Sequence, residues 1–123
     1  MADLRTLQGR RILVVEDDAM IAMMVEDMLM DLGCTVIGPA ASLEAAIGLA
    51  SGDPAIDGAL LDVNLNGASV FPLADDLRAR GVPIVFCSGY GEGGLRDVDK
   101  GSGVLRKPYR EGELADALTA ALR

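Results

Sequence analysis

Short aliphatic runs alternate with longer segments along all 123 residues of the chain. An aliphatic run of three or four residues that is closed by a turn is typical of a buried strand, whereas a longer segment with apolar residues at helical spacing is typical of a helix. This alternation indicates an α/β fold. The predicted strands are residues 12–15, 35–38, 58–61, 84–87 and 104–106, and the predicted helices are about residues 20–32, 43–50, 70–80, 95–100 and 111–122, with Ser42 and Ser69 as N-caps of the second and third helices.

The predicted strands are largely apolar, which indicates a parallel sheet that helices cover on both faces. Right-handed crossovers leave few ways to connect such a sheet. We predict a flavodoxin-like (βα)5 fold with strand order 2-1-3-4-5, in which the first and third strands are neighbours. We expect one domain over residues 1–123, with its core at about residues 11–122.

The composition argues against several classes of function. A formal net charge of −8 makes nucleic acid an improbable partner, since affinity for it comes largely from Lys and Arg that neutralise phosphates. The chain has no histidine, so it has no His-based triad or His-ligated zinc site, and any phosphohistidine donor must be another protein. Cys34 and Cys87 form no CxxC pair and are expected to be reduced thiols. Because residues 1–11 lack a secretion signal and the longest apolar stretch is only residues 19–25, we expect a soluble cytoplasmic protein with no membrane partner.

Four of the predicted strands are followed by residues that carry polar chemistry. Asp62 comes directly after the third strand, Glu16-Asp17-Asp18 follow the first, Ser88 follows the fourth and Lys107 follows the fifth. In an open parallel sheet, ligands bind just outside the carboxyl ends of the strands. The sequence therefore predicts one pocket that holds a carboxylate cluster, a hydroxyl group and an ammonium group.

Those side chains suit a divalent metal and a phosphoryl group. Crowded carboxylates repel one another unless a cation is present, and Glu16, Asp17 and Asp62 offer the hard oxygen ligands that Mg²⁺ prefers. A carboxylate that attacks phosphorus forms an aspartyl phosphate, and Lys107 and Ser88 would then stabilise charge on the phosphoryl oxygens. The alternatives are that the acidic triplet only starts a helix and that Lys107 is a solvated surface charge.

Four motifs stand at these strand ends. They are Ile-Leu-Val-Val-Glu-Asp-Asp ending at Asp18, Leu-Leu-Asp-Val-Asn-Leu-Asn-Gly ending at Gly67, Phe-Cys-Ser-Gly-Tyr-Gly ending at Gly91, and Lys-Pro-Tyr ending at Tyr109. Together they resemble the receiver domain of two-component response regulators, over residues 11–122. The resemblance implies these roles: Asp62 as phospho-acceptor, Glu16 and Asp17 as the acidic metal-binding pair, the backbone carbonyl of Asn64 as a further metal ligand, Ser88 as the switch hydroxyl and Lys107 as the lysine of the site.

One position departs from the usual receiver pattern. Receivers usually carry Tyr or Phe three residues before the lysine, and this chain has Val104 there. In this respect it resembles the "FAT GUY" group of receivers, many of them stand-alone proteins, which lack that aromatic residue. Our hypothesis is that Tyr90 and the glycine-rich stretch after it take over the response to phosphorylation. The alternative is that Tyr90 is an exposed loop residue of no consequence.

The first predicted helix carries an unusual number of methionines. Met20, Met24 and Met28 share one flank by i, i+4 spacing, and methionine-rich surfaces adapt readily to partners. In receivers, the corresponding flank docks the helical bundle of the kinase. We therefore expect this flank to contact the phosphohistidine donor. The alternative is that these methionines fill gaps against the sheet.

The resemblance implies a single-domain response regulator that accepts a phosphoryl group from a sensor histidine kinase onto Asp62, with Mg²⁺ as cofactor. The kinase is expected to be of the HWE or a related type. The chain would act only on itself and not as an enzyme, and would signal to an unidentified downstream protein or drain phosphate. Two alternatives remain: an aspartate-nucleophile phosphohydrolase of the haloacid-dehalogenase type, and a receiver-like interaction domain that works without phosphorylation.

Overall fold

The computed structural model describes residues 4–52 and 55–123, and its centre is a five-stranded parallel sheet. The strands are β1 (Arg11–Val15), β2 (Thr35–Ala40), β3 (Gly58–Asp62), β4 (Asn64–Leu65), β5 (Ala68–Ser69), β6 (Ile84–Ser88) and β7 (Gly103–Arg106). Five of them form the sheet in the order β2-β1-β3-β6-β7, and β4 and β5 form a separate two-stranded hairpin. This is the predicted flavodoxin-like order once the hairpin is set aside.

The register of the sheet brings the carboxyl ends of four strands to one level. Val15 of β1 lies opposite Leu61 of β3, and Asp62 lies opposite Cys87 of β6. Ser88 in turn lies opposite Arg106 of β7. The residues that follow these positions therefore emerge side by side along one edge of the sheet.

Four α-helices cover the sheet within the described residues: α1 (Ala19–Asp31), α2 (Leu43–Ala50), α3 (Phe71–Ala79) and α4 (Glu111–Leu122). Successive strand residues point to opposite faces, so each strand contributes to two cores. Leu13, Leu61 and Phe86 pack with residues of α2 and α3 on one face. Alternate residues such as Leu60 and Val85 pack with residues of α1 and α4 on the other. No helix among the described residues is both long and apolar enough to span a bilayer.

The N-terminal segment contributes to the core, which the sequence did not indicate. Leu7 is fully buried in the core on the α1 and α4 side. The N–H of Gly9 donates to the carbonyl of Gly33 at 2.8 Å. These contacts attach the segment before β1 to the end of α1. The described part of the core thus begins at least four residues before the predicted boundary at about residue 11.

The predicted caps have mixed outcomes. Ser42 caps α2 as predicted, with its Oγ accepting from Ala45 N at 3.1 Å. Ser69 belongs to β5 and Val70 is the residue before α3, yet the predicted role of Ser69 is confirmed in part, since its Oγ accepts from the N–H of Phe71, the first residue of the helix, at 3.2 Å. Asp18, the last residue of the acidic triplet, caps α1 by accepting from the N–H groups of Met20 and Ile21 at 2.9 and 3.1 Å.

The predicted helix over residues 95–100 is wrong. Two 3-10 turns occupy this connection, Gly91–Gly94 and Asp97–Asp99. Glycines stand at positions 91, 93 and 94, and only six residues lie between Gly94 and the next glycine at position 101. Glycine disfavours helix, and an isolated helix of that length is unstable, so the segment relies on side-chain contacts for its conformation.

A cluster of four charged side chains, which we call the α3 ion cluster, supplies those contacts. It consists of Asp75 and Arg78 on α3 with Arg96 and Asp99 on the connection. Asp99 is fully buried, and its two oxygens lie 2.6 Å from Arg96 Nε and 2.7 Å from Arg78 Nη2. Arg96 also donates twice to Asp75, at 2.7 and 3.2 Å, and its guanidinium lies 4.4 Å from the centre of the Phe71 ring. The cluster fixes the connection between β6 and β7 against α3.

Candidate functional site

Asp62 lies at the carboxyl end of β3 and is 7% exposed. Lys107 Nζ is 3.1 Å from Asp62 Oδ2 and 2.7 Å from Glu16 Oε1. The lysine, which follows β7, therefore contacts residues at the ends of β1 and β3. The structure places the predicted carboxylates and ammonium in one small site.

The acidic side chains of this site are crowded. Oxygens of Glu16, Asp17 and Asp62 all lie within 4.8 Å of one another, close enough to share one cation. Glu16 is buried, with Oε2 accepting from the N–H of Asp18 at 3.1 Å. Burial raises the pKa of Glu16 to about 7 and the charge of Asp62 adds to this effect, against the bonds from Lys107 and Asp18. A divalent cation would relieve this repulsion, and the all-oxygen donor set fits Mg²⁺.

Asp17 is less buried and makes a different set of contacts. Its Oδ2 accepts from Asn66 N at 3.0 Å. Burial works against its ionisation, but hydrogen bonding with Glu16 and with the Asn66 N–H lowers the pKa of Asp17. Asp17 is therefore held in the charged form that a metal ligand needs.

The segment after Asp62 forms the β4–β5 hairpin, where the sequence predicted only a turn. Asn66 and Gly67 have φ angles of 51° and 87°, which is the pattern of a type I′ turn. The Asn64 side chain accepts from Gly67 N at 2.8 Å and so belongs to the turn. This arrangement is compatible with the predicted backbone role of Asn64, which stays a prediction.

Ser88 ends β6 next to the strand that carries Asp62, and it is 4% exposed. Its Oγ accepts from Tyr90 N at 3.0 Å, and its carbonyl accepts from Lys107 N at 3.0 Å. Because Oγ accepts the Tyr90 hydrogen bond, the hydroxyl proton remains able to donate to a second acceptor. Ser88 thus brings a hydrogen-bond donor to the same edge as Asp62 and Lys107.

The residues of the predicted switch are close to the site but differ in burial. The side chain of Tyr90 is 83% exposed, and only its backbone N–H is bonded to Ser88. Val104 is half-buried and packs against the core on the α2 and α3 side. A response through Tyr90 stays a prediction.

The methionine flank of α1 is largely open to solvent. Met20 and Met24 are 73% and 52% exposed, so the alternative that they fill gaps against the sheet is wrong for these two. Met28 does pack partly against the core on the α1 and α4 side. A groove of about 310 Å³ runs beside the flank, lined by α1 residues that include Met24 and Met28 and by Lys107 and Tyr109. The groove connects Met24 to the lysine of the site.

Residues 12–119 match the family model described as the response regulator receiver domain. With the fold and the strand-end site above, this match shows that the chain belongs to the response regulator receiver domain family.

Individual relatives agree with this assignment. The chain is 43% identical over 68 residues to the transcriptional regulatory protein TdiR of Thauera aromatica; the match covers 51% of this chain and 30% of that protein. The solution structure of SdrG from Sphingomonas melonis Fr1 has a TM-score of 0.82 and 37% identity, and the match covers 95% of this chain and 98% of that one. The BeF3-activated conformation of SdrG from Pseudomonas melonis Fr1 has a TM-score of 0.78 and 39% identity, over 92% of this chain and 96% of that one.

Proposed function

We propose that this protein is a single-domain response regulator that accepts a phosphoryl group onto Asp62 from a sensor histidine kinase, in a reaction that requires Mg²⁺. The observation that carries the proposal is the contact of Lys107 with both Asp62 and Glu16, at 3.1 and 2.7 Å, within a buried cluster of carboxylates. A carboxylate and an ammonium are in contact there, and the hydroxyl of Ser88 lies at the end of the neighbouring strand. That is the set of groups that phosphoryl transfer to a carboxylate needs.

The chemistry of the transfer follows from these groups. A carboxylate oxygen of Asp62 attacks phosphorus, and an O–P bond forms as the P–N bond of the donor phosphohistidine breaks. The bonding electron pair returns to the imidazole nitrogen, which takes up a proton. Bound Mg²⁺ would neutralise charge on the phosphoryl oxygens, and Glu16, Asp17, Asp62 and the backbone of Asn64 would hold it. Lys107 and Ser88 contribute an ammonium and a hydroxyl donor to the same oxygens.

The donor must be another protein, because the chain contains no histidine. We propose that the helical bundle of a kinase of the HWE or a related type docks on the flank of Met20, Met24 and Met28. The exposure of Met24 and the groove that runs from it to Lys107 support this docking mode. Met24→Ala should slow transfer from the kinase about fivefold. Met30→Ala is the control: Met30 is 63% exposed on the same helix but does not line the groove.

The output of the protein would be a protein–protein interaction or the removal of phosphate from the kinase. The existence of a BeF3-activated conformation for a receiver that is 39% identical supports a response in the present chain. We propose that Tyr90 and the glycine-rich stretch after it carry this response in place of the aromatic residue that Val104 replaces. Phosphorylation-induced NMR shifts in residues 95–100 should then disappear in Tyr90→Ala, and shifts that persist would exclude the idea.

The decisive experiment is the intact mass of the protein after incubation with Mg²⁺, ATP and a promiscuous histidine kinase, beside Asp62→Ala. One phosphoryl increment on wild type that is absent from the variant is expected. The matched controls omit Mg²⁺ or the kinase. No increment, with the kinase shown to be phosphorylated, would favour a phosphorylation-independent interaction domain. Continuous release of phosphate from a small phosphomonoester would instead favour the phosphohydrolase, although Asp62 ends the third strand in chain order where that class has its nucleophile at the end of the first.

A further inference from the structure

The backbone at Gly94 lies directly on the Ser88 side chain. A Cβ atom placed on Gly94 would be 2.6 Å from Ser88 Oγ and 3.4 Å from Ser88 Cβ. A separation of 2.6 Å is far inside van der Waals contact, so only glycine permits this approach. Gly93, in the same 3-10 turn, differs: a Cβ there would meet only the Cβ of Tyr90, at 3.9 Å.

Ser88 Oγ is therefore enclosed from two directions by the segment that follows it. The N–H of Tyr90 donates to Oγ from one side, and the Gly94 backbone lies against it on another. The residue as a whole is 4% exposed. Contacts of this kind restrict a serine to one side-chain rotamer, and hence fix the direction in which its hydroxyl can donate.

The segment is anchored immediately after Gly94. Leu95 is 8% exposed in the core on the α2 and α3 side, and Arg96 is bonded to both Asp75 and Asp99 in the α3 ion cluster. The segment therefore has little freedom to lift off Ser88 while these contacts persist.

We propose that Gly94 is a positioning residue for the Ser88 hydroxyl, and that the α3 ion cluster holds Gly94 in place through Arg96. This inference rests on the proposed function, because it assigns Ser88 a donor role toward the phosphoryl group on Asp62. A methyl group at position 94 would force either the segment away from Ser88 or the hydroxyl into another rotamer. The first movement removes the contact that holds the hydroxyl in place, and the second breaks the bond from Tyr90 N and turns the donor away from the acceptor.

The test compares Gly94→Ala with Gly93→Ala as the matched control. The rate of phosphoryl transfer from the phosphorylated kinase to Gly94→Ala should fall about tenfold, because a misdirected donor loses part of its stabilisation of the transferring group. Gly93→Ala should remain within about twofold of wild type. Equal rates for the two variants, with wild type active, would overturn the inference.

A second arm asks whether the effect acts through Ser88. In a Ser88→Ala background the Oγ atom that Gly94→Ala would strike is absent, so adding Gly94→Ala should slow transfer no further. A further tenfold loss in that background would mean that Gly94 acts on something other than the hydroxyl, and the inference would fail. Thermal unfolding of each variant identifies losses that arise only from unfolding.

A third arm does not depend on phosphorylation. In the unphosphorylated protein, Gly94→Ala should shift the amide signals of Ser88 and Tyr90, and Gly93→Ala should leave the Ser88 signal in place. If wild type accepts no phosphoryl group, the proposed function fails, but this measurement still decides whether Gly94 positions Ser88. A Ser88 signal that does not move in Gly94→Ala would overturn the positioning role. If Gly94→Ala does not fold, Arg96→Gln replaces it as the test variant. It should slow phosphoryl transfer about threefold and speed amide exchange at residues 93–95. No change in either quantity would show that Arg96 does not hold Gly94 in place.

Discussion

The molecule contains two clusters of charged side chains, and the buried carboxylates Glu16 and Asp99 respond to them in opposite ways. At the strand-end site, three carboxylates lie together and Lys107 contacts two of them, Glu16 and Asp62; burial raises the pKa of Glu16 to about 7. In the α3 ion cluster, two carboxylates are matched by two guanidinium groups. Burial of Asp99 opposes its ionisation, yet hydrogen bonds from Arg96 and Arg78 lower its pKa. An excess of negative charge leaves the first group ready for a further cation, whereas the second is complete and structural.

The type of cation also differs between the two groups. A guanidinium is a planar fork that can bond two carboxylates at once, as Arg96 does with Asp75 and Asp99. The ammonium of Lys107 is a compact charge on a flexible stem that can follow a reacting group. The geometry of each group therefore agrees with its proposed role. The guanidinium groups hold the α3 ion cluster rigidly, and the ammonium of Lys107 is a mobile charge at the strand-end site.

The largest expected effect comes from removing the cation of the strand-end site. Lys107→Gln should slow phosphoryl transfer to Asp62 about 100-fold, because the transferring group loses the positive charge of the ammonium. The rate of transfer from a phosphorylated kinase is the measurement. Lys100→Gln serves as the control, since Lys100 pairs with Asp97 on an exposed surface. Equal rates for Lys107→Gln and wild type would mean that the contact with Asp62 is not used in the reaction.

The next largest effect is on the free energy of unfolding, which should respond differently to substitutions in the two groups. Asp99→Asn should lower the free energy of unfolding by about 2–3 kcal/mol, because it removes the buried charge that two arginines share. Asp62→Asn should leave the free energy of unfolding unchanged or slightly higher, since it relieves repulsion with Glu16. Urea titrations of the three proteins at neutral pH are the measurement. A large destabilisation by Asp62→Asn would show that the charges of the strand-end site stabilise the fold as those of the α3 ion cluster do.

The stabilisation by Asp99 should also depend on pH. Its pKa in the folded protein is below the ordinary value of 3.8, so the unfolded chain binds a proton first as the pH falls. The contribution is therefore fully present at a pH well above 3.8, and it declines as the pH falls from there through the folded pKa. The difference in unfolding free energy between wild type and Asp99→Asn should shrink over that range, and a constant difference would exclude a charged Asp99 as its source.

The smallest effect concerns the shape of the cation. Arg96→Lys keeps the positive charge but loses the two-pronged bonding and the contact of the guanidinium with the Phe71 ring. Arg96→Lys should lower the melting temperature by less than half as much as Asp99→Asn lowers it. A decrease as large as that of Asp99→Asn would show that geometry matters more than charge in this cluster.

Much of the site could be predicted because it depends on where strands end. Asp62, Ser88 and Lys107 each follow a short aliphatic run, and parallel strands bring their carboxyl ends together whatever the details of the helices. The contacts of Lys107 with two carboxylates could not be predicted, because they join residues 91 and 45 positions apart in the chain. The caps could be predicted because they are local: Ser42 and Ser69 each accept a hydrogen bond from an N–H at the start of the following helix. The pairing of Ser69 with Asn64 in a hairpin was not predicted.

The connection between β6 and β7 was the poorest prediction, and its cause is physical. The conformation of residues 91–100 has little local preference, since glycines weaken the helical signal and the remaining residues are few. Contacts with α3 decide it instead, through Arg78 and Asp75, which lie about 20 residues earlier in the chain. The spacing of Arg96 and Asp99 by three residues was a visible signal of a local ion pair, but not of its burial.

The sequence by itself determined the class of fold, the order of the strands and the residues that meet at the edge of the sheet. Hydrophobic periodicity and turn residues act locally, and the handedness of crossovers restricts the topology that they allow. Only the tertiary structure decided which charges are matched, which methionines stay exposed and which glycine touches Ser88. Those features depend on distances of a few ångströms between segments that are far apart in the chain, and such distances are set by packing of the whole core.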